Sequence, residues 1–322
     1  GDRSKSLSLF IYIQYEGQGD RQMMETTIFA YENLYYELWE TARRYRAIAQ
    51  FRVIGNSHDE RMIPMIEVGQ GDQVIFCVSG LNGTERHMPS CLLRMAKEYC
   101  RAWECGWVLE ELYDVKQLLS AWKICFIPLL NPDGYEIYEK GYTVIRNPVY
   151  RQMLRMQETA CTEYFCNARG MNLQKNFPTS YYRKMRIYHE PASENETKAL
   201  VRILQEYQGK GFFSFGQADK RIVYFRQPQA FGVNQKSYRL ARHFQKQAGF
   251  CMEKFSLEQQ KKNHAIQGEG TPERYYAELT RQPSFRIELP SGLGEEESSL
   301  LENRYQQIYT IPLEYIFSVG EL

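Results

Sequence analysis

The run Val74-Ile75-Phe76-Cys77-Val78 is apolar at every position and stops at Ser79-Gly80. Side chains along a strand alternate between two faces, so a strand without a polar residue must be covered on both sides, as at the centre of a sheet flanked by helices. Trp122 to Leu130, apolar except at Lys123, reads as a second buried strand, closing on Asn131-Pro132-Asp133-Gly134. Shorter strands are expected at 51–54, 62–66, 212–215, 221–225 and 285–289. Between them, apolar residues return at helical spacing over 27–46 (Tyr31, Leu34, Leu38), 89–99, 109–119, 194–207, 238–248 and 300–317, where Pro312 marks a break or a new start. This alternation predicts an α/β fold, a mixed and mostly parallel sheet with helices on both faces. Residues 1–22 show no helical period and are expected as a leader, with the domain over 23–322.

Composition bounds the function classes. A chain of 322 residues, 43% hydrophobic and 25% charged, can bury a full core and leaves no room for a long disordered tract. A net charge of +1 gives no basis for a nucleic-acid footprint or for attraction to anionic membranes, so Arg183, Lys184 and Arg186 read as a solvated face. No apolar run reaches the roughly 18–20 residues of a membrane span. The chain opens on Gly1-Asp2 without Met, as a trimmed chain would, so a signal peptide or anchor and the compartment stay open. The eight cysteines (77, 91, 100, 105, 125, 161, 166 and 251) form no CxxC pair, so no structural zinc site is expected. Cys77 and Cys125 read as core residues, whereas Cys161 and Cys166 are either free or paired in an oxidising compartment.

Several segments, in order, resemble one family. Ile54-Gly55-Asn56-Ser57 with Arg61-Met62-Ile63-Pro64, the strand and loop from Val74 to Glu85, and Leu130-Asn131-Pro132-Asp133-Gly134 are three of them. Asn167-Ala168-Arg169-Gly170-Met171-Asn172-Leu173-Gln174-Lys175-Asn176-Phe177-Pro178 is the longest; Glu190-Pro191 with Glu194 and Glu196-Thr197-Lys198, and Pro283-Ser284-Phe285-Arg286-Ile287-Glu288, complete the series. Together they resemble the zinc metallocarboxypeptidases, and in particular the bacterial branch that cleaves γ-D-glutamyl bonds to diamino acids in cell-wall stem peptides.

The resemblance implies a catalytic zinc held by His-x-x-Glu and a later His, with an open position for a water. Here the first motif reads Asn82-Gly83-Thr84-Glu85, which keeps the carboxylate and replaces the imidazole by an amide, a poor zinc ligand. The later His should fall within 214–225, which contains none; alignment places Gln217 there, or Gly216 in a register one residue shorter. His87 is two residues beyond Glu85, and i and i+2 do not share a helix face. His58, His189, His243 and His264 lie in unrelated segments. Glu288 matches the family's general base and Arg146 its oxyanion-stabilising arginine. The carboxylate-binding Asn-Arg pair has become Gln174-Lys175, which keeps one positive charge without the planar fork. Tyr275 keeps the aromatic of a substrate-recognition motif whose charges are reversed at Glu273 and Arg274.

Three readings follow. The first is a degenerate peptidase that binds a peptide or cell-wall stem peptide at its carboxylate without efficient hydrolysis, with no metal or a weakly held one. The second is an active hydrolase with an Asn/Glu/Gln metal site. The third is a non-catalytic scaffold for a protein partner.

Overall fold

The computed structural model describes residues 28–180, 182, 190–218, 221–225, 230–248, 250–255, 270–290 and 297–320. The expected leader lies outside the described residues, as do Arg183, Lys184, Arg186, His189 and His264. In chain order the elements are α1 (Tyr31–Arg44), β1 (Ala49–Asn56), β2 (Met62–Val68), β3 (Gln73–Ser79), α2 (His87–Cys105), β4 (Val108–Leu109), β5 (Tyr113–Asp114), α3 (Val115–Ala121), β6 (Trp122–Ile127) and α4 (Pro132–Lys140). They continue with α5 (Pro148–Arg155), α6 (Asn195–Glu206), β7 (Gly209–Ala218), β8 (Arg221–Phe225), α7 (Phe231–Ala248), β9 (Cys251–Phe255), α8 (Pro272–Thr280), β10 (Ser284–Pro290), α9 (Glu297–Ile308) and α10 (Ile311–Gly320).

Eight strands form one sheet in the order β1-β2-β6-β3-β7-β10-β8-β9. Its centre, β6-β3-β7-β10, is parallel, as is β8-β9; the pairs β1-β2, β2-β6 and β10-β8 are antiparallel. The apolar run 74–78, in β3, sits where its composition requires. Ile75 and Cys77 join the larger core cluster with Leu34, Leu92 and Tyr315, while Val74, Phe76 and Val78 join the cluster on the other face with Leu200 and Tyr276.

Three expectations shift for local reasons. The helix expected from residue 109 starts at Val115, because Glu110 and Glu111 take left-handed backbone (φ 50 and 56) in the turn of the β4-β5 hairpin, and the Asp114 carboxylate caps by accepting from Gln117 N at 2.9 Å. The strand from Trp122 ends at Ile127, before Pro128. The turn at 131–134 continues as α4: Asn131 accepts from Gly134 N at 2.9 Å, and Pro132 fills a first-turn position that needs no N–H. The closing segment divides into α9 and α10 just before Pro312. Cys161 and Cys166 are both free thiols, and Cys77 and Cys125 are buried.

The loop after β3 is held by close backbone approach. A Cβ on Gly83 would lie 2.4 Å from the Gly134 carbonyl oxygen and 2.8 Å from that of Tyr164, neither of which can move without moving a segment. Gly83→Ala is therefore expected to lower stability by roughly 1–3 kcal/mol, measured by denaturant unfolding; an unchanged midpoint would show that this packing is loose.

Candidate functional site

The site lies at the carboxyl ends of β3, β7 and β10, where chain segments converge beyond the sheet. Asn131 ties the first of them down: its Nδ2 donates to the Leu81 carbonyl at 3.0 Å and to that of Cys166 at 3.2 Å. The β3 loop is thereby joined to the segment leading to Gln174. Glu85, 1% exposed, turns its carboxylate back into that loop and accepts from Leu81 N at 3.0 Å and Asn82 N at 3.4 Å. Asn82 Nδ2 also faces it, 3.3 Å from Glu85 Oε1.

Two-residue alternation along β10 places Arg286 and Glu288 on one face. In the parallel register with β7 they lie opposite Ser214 and Gly216. The Arg286 guanidinium occupies the space between these segments. Its Nε donates to Glu288 Oε1 at 2.6 Å, Nη2 lies 3.9 Å from Glu85 Oε1, and Nη1 lies 3.7 Å from Glu273 Oε1 at the start of α8. With the Gln174 amide oxygen facing these donors, it accepts from Arg286 Nη1 at 2.9 Å, Arg286 Nη2 at 2.7 Å and Asn82 Nδ2 at 2.9 Å. Glu273 also accepts from Ser214 Oγ. Three buried carboxylates thus face one guanidinium. Burial, offset in part by Arg286 and the loop N–H groups and reinforced by Glu288, pushes Glu85 up to about 7.

Of the two positions open for the third ligand, Gly216 is the one on the face of β7 that looks toward Glu85. A Cβ there would lie 2.9 Å from Glu85 Oε1 and 3.0 Å from Arg286 Nη2. Gln217 takes the opposite side, with its Nε2 3.4 Å from His87 Nδ1. That same His87 nitrogen accepts from Arg304 Nη1 on α9, and burial together with Arg304 and Arg86 lowers its pKa to about 4. His87 is thus a neutral, buried imidazole whose Nδ1 lone pair is already used.

The remaining expected residues divide. Gln174 is within the cluster, and Lys175 follows it with an exposed side chain. Arg146 is also exposed, and its backbone is fixed: its N–H reaches both oxygens of Asp59 at 2.9 Å. Asp59 is held by Arg61 Nη1 at 2.7 Å, and the same guanidinium nitrogen donates to Asp133 at 2.8 Å. Tyr275 does not join the cluster; it is 7% exposed in the core beside Phe177, and its hydroxyl accepts from Gln205 Nε2 at 2.9 Å. Sequence reasoning missed Arg286 and Glu273. The signal for Arg286 was a charged residue two positions before Glu288 in an otherwise apolar strand.

The zinc of the resembled family does not fit these residues. Asn82 turns its amide nitrogen toward Glu85, Gly216 offers no side chain, and a guanidinium already stands 3.9 Å from Glu85 and 2.6 Å from Glu288. Elsewhere among the described residues, His58, Glu194 and Glu196 bring one ligand-type atom each within 4.8 Å of one another. There Glu194 is already served: Oε2 lies 3.0 Å from His58 Nε2 and accepts from Asn167 Nδ2 at 2.8 Å, while Oε1 accepts from Ser193 Oγ at 2.7 Å. Burial would raise its pKa, but these hydrogen bonds outweigh burial and hold it at about 2. The cluster fastens the Asn167 segment to the start of α6.

Comparison with known proteins agrees with this architecture. The zinc carboxypeptidase family profile matches residues 34–303. The chain therefore belongs to the zinc carboxypeptidase family. Bovine thrombin-activatable fibrinolysis inhibitor, solved in complex with tick carboxypeptidase inhibitor, superposes with a TM-score of 0.71 at 14% identity, over 92% of this chain and 98% of that one. Carboxypeptidase A from Helicoverpa armigera gives 0.68 at 15% identity, over 97% and 80%. A metallo-carboxypeptidase from Burkholderia cenocepacia gives 0.63 at 11%, over 90% and 69%. An uncharacterised Bacillus subtilis (strain 168) protein, YqgT, is 29% identical over 131 residues, which is 36% of this chain and only 34% of that protein.

Glu196 supplies a pH test of the neighbouring polar lock. Burial, with Asp133 nearby, pushes it from 4.5 up to about 8. Between those values the folded chain holds a proton that the unfolded chain has released, so this group lowers stability as pH rises. Glu196→Gln should therefore show a smaller loss of melting temperature between pH 5 and pH 8 than the wild type; an equal or larger loss would count against the assignment.

Proposed function

We propose that this chain is a carboxypeptidase-fold binding protein whose cleft holds the carboxylate end of a peptide, with a cell-wall stem peptide as the expected ligand, without efficient hydrolysis. One observation carries the reading: Glu85 and Glu288, the carboxylates that would ligate a metal and activate its water, are both engaged by the Arg286 guanidinium. A base ion-paired in this way has no metal-bound water to deprotonate. Lys175 and Arg146 supply exposed positive charge for a carboxylate, and the Asp59-Arg61-Asp133 network holds the backbone that presents Arg146. The γ-D-glutamyl branch rests on the sequence resemblance, and the aromatic expected to contact its diamino acid, Tyr275, is turned into the core.

One observation favours a second reading, an active enzyme with an oxygen-rich metal site: Asn82 Oδ1 is buried and has no hydrogen-bond partner among the described residues. Gln217 Oε1 is also without one, but lies on the other side of β7.

Two measurements decide between these readings. Protein dialysed against micromolar zinc should retain less than about a tenth of an equivalent; stoichiometric metal would favour the active enzyme. Peptides with a free C-terminal carboxylate should bind in titration calorimetry, and Lys175→Ala should weaken them about tenfold, the effect of losing one charge-assisted hydrogen bond. Absence of such binding would return the chain to a scaffold role.

A further inference from the structure

We infer that the Arg286 guanidinium is the resident cation of this cleft: it stands where a divalent metal would be held between Glu85 and Glu288, and it excludes that metal while it remains there. The inference deepens the binding-only reading above and rests on it.

Contact geometry is the first support. One planar group from β10 meets Glu288 on its own strand, Glu85 from the loop after β3, Gln174 from the segment beyond Cys166, and Glu273 from the first turn of α8. A surface arginine pairs with one neighbour, whereas this one sits where four segments converge, with its side chain 13% exposed. Its Nη2 and the Cβ direction of Gly216 point into the same space, since a Cβ added there would lie 3.0 Å from that nitrogen. The missing side chain at Gly216 is what lets the guanidinium approach Glu85; a ligand-bearing residue in its place would compete for the same volume.

Charge is the second support. Glu85, Glu273 and Glu288 are 1%, 0% and 3% exposed, and carboxylates so deeply buried stay charged only where a cation or strong donors meet them. A guanidinium answers this with several N–H donors in a fixed plane. The amides around it complete the arrangement: the Gln174 oxygen accepts from both of its terminal nitrogens, and Asn82 Nδ2 donates to that same oxygen and to Glu85. A metal ion entering here would meet a fixed like charge at contact range in a pocket with little water to screen it.

The test converts the site back. In Asn82→His, with Gly216 and Arg286 retained, zinc measured by mass spectrometry after dialysis should stay near background. In Asn82→His/Arg286→Thr, which leaves Gly216 in place, it should rise toward one equivalent, as expected for an imidazole and the two carboxylates Glu85 and Glu288. Full loading with Arg286 present would overturn the inference, and so would no loading of the folded double variant. A single substitution guards against misfolding of the double: in Arg286→Met, added zinc should raise the melting temperature, and in the wild type it should not. A rise in both proteins, or in neither, would overturn the inference. Peptide titration of the wild type, run alongside, reports on the binding-only reading separately; its failure with the zinc pattern intact would sink that reading and leave Arg286 as the resident cation.

Discussion

Carboxylates buried at the ends of parallel strands stay charged only when a cation or strong donors meet them, and in this molecule the cation is a side chain of the fold itself. Arg286 reaches Glu288 at 2.6 Å, and through it β10 is joined to the loop after β3 and to the start of α8. The same contact sets the electrostatics of the whole cleft floor. It supplies the positive charge that Glu85, Glu273 and Glu288 share, and it occupies the space to which family chemistry would assign a metal. In a protein of the zinc carboxypeptidase family, the consequence is a cleft with the family's walls and a different centre.

The walls are held by polar locks that do not depend on the centre. Asn131 fastens the β3 loop to the Cys166 segment through two carbonyls. Asp133 gathers Ser57 at 2.7 Å and Arg61 at 2.8 Å, and Arg61 in turn orders Asp59 beneath the backbone of Arg146. Asn167 spans Glu194 and Glu196 at the base of α6. Each lock is a buried group with its partners within hydrogen-bond reach, so the walls of the cleft keep their shape independently of what stands at its centre. Retention of these residues therefore speaks for the fold and says little about turnover.

Much of the architecture was legible in the chain because the signals were local. An apolar run such as 74–78, short and closed by Ser-Gly, reads as a two-sided strand, and Asn-Pro-Asp-Gly after a strand marks where that strand stops. Where reading failed, the decisive contact was also local but weaker. The helix expected from residue 109 yielded to a hairpin turn at Glu110 and Glu111, and α4 was missed because its first residues looked like a turn alone. Strand alternation separates the two positions that alignment leaves open, Gly216 and Gln217: of these successive residues Gly216 faces Glu85 and Gln217 faces His87.

By itself the sequence determined the α/β architecture and the absence of histidine at position 82 and throughout 214–225, because periodicity and residue type are properties of the chain. It could show that Glu85 and Glu288 remained, but not what they touched. Only the tertiary structure decided that a guanidinium from β10 lies between them, that Tyr275 faces the core and that His87 is already engaged by Arg304. The reason is distance along the chain: Glu85 and Arg286 meet only after β3, β7 and β10 pair in register, and no local pattern in either segment records that meeting.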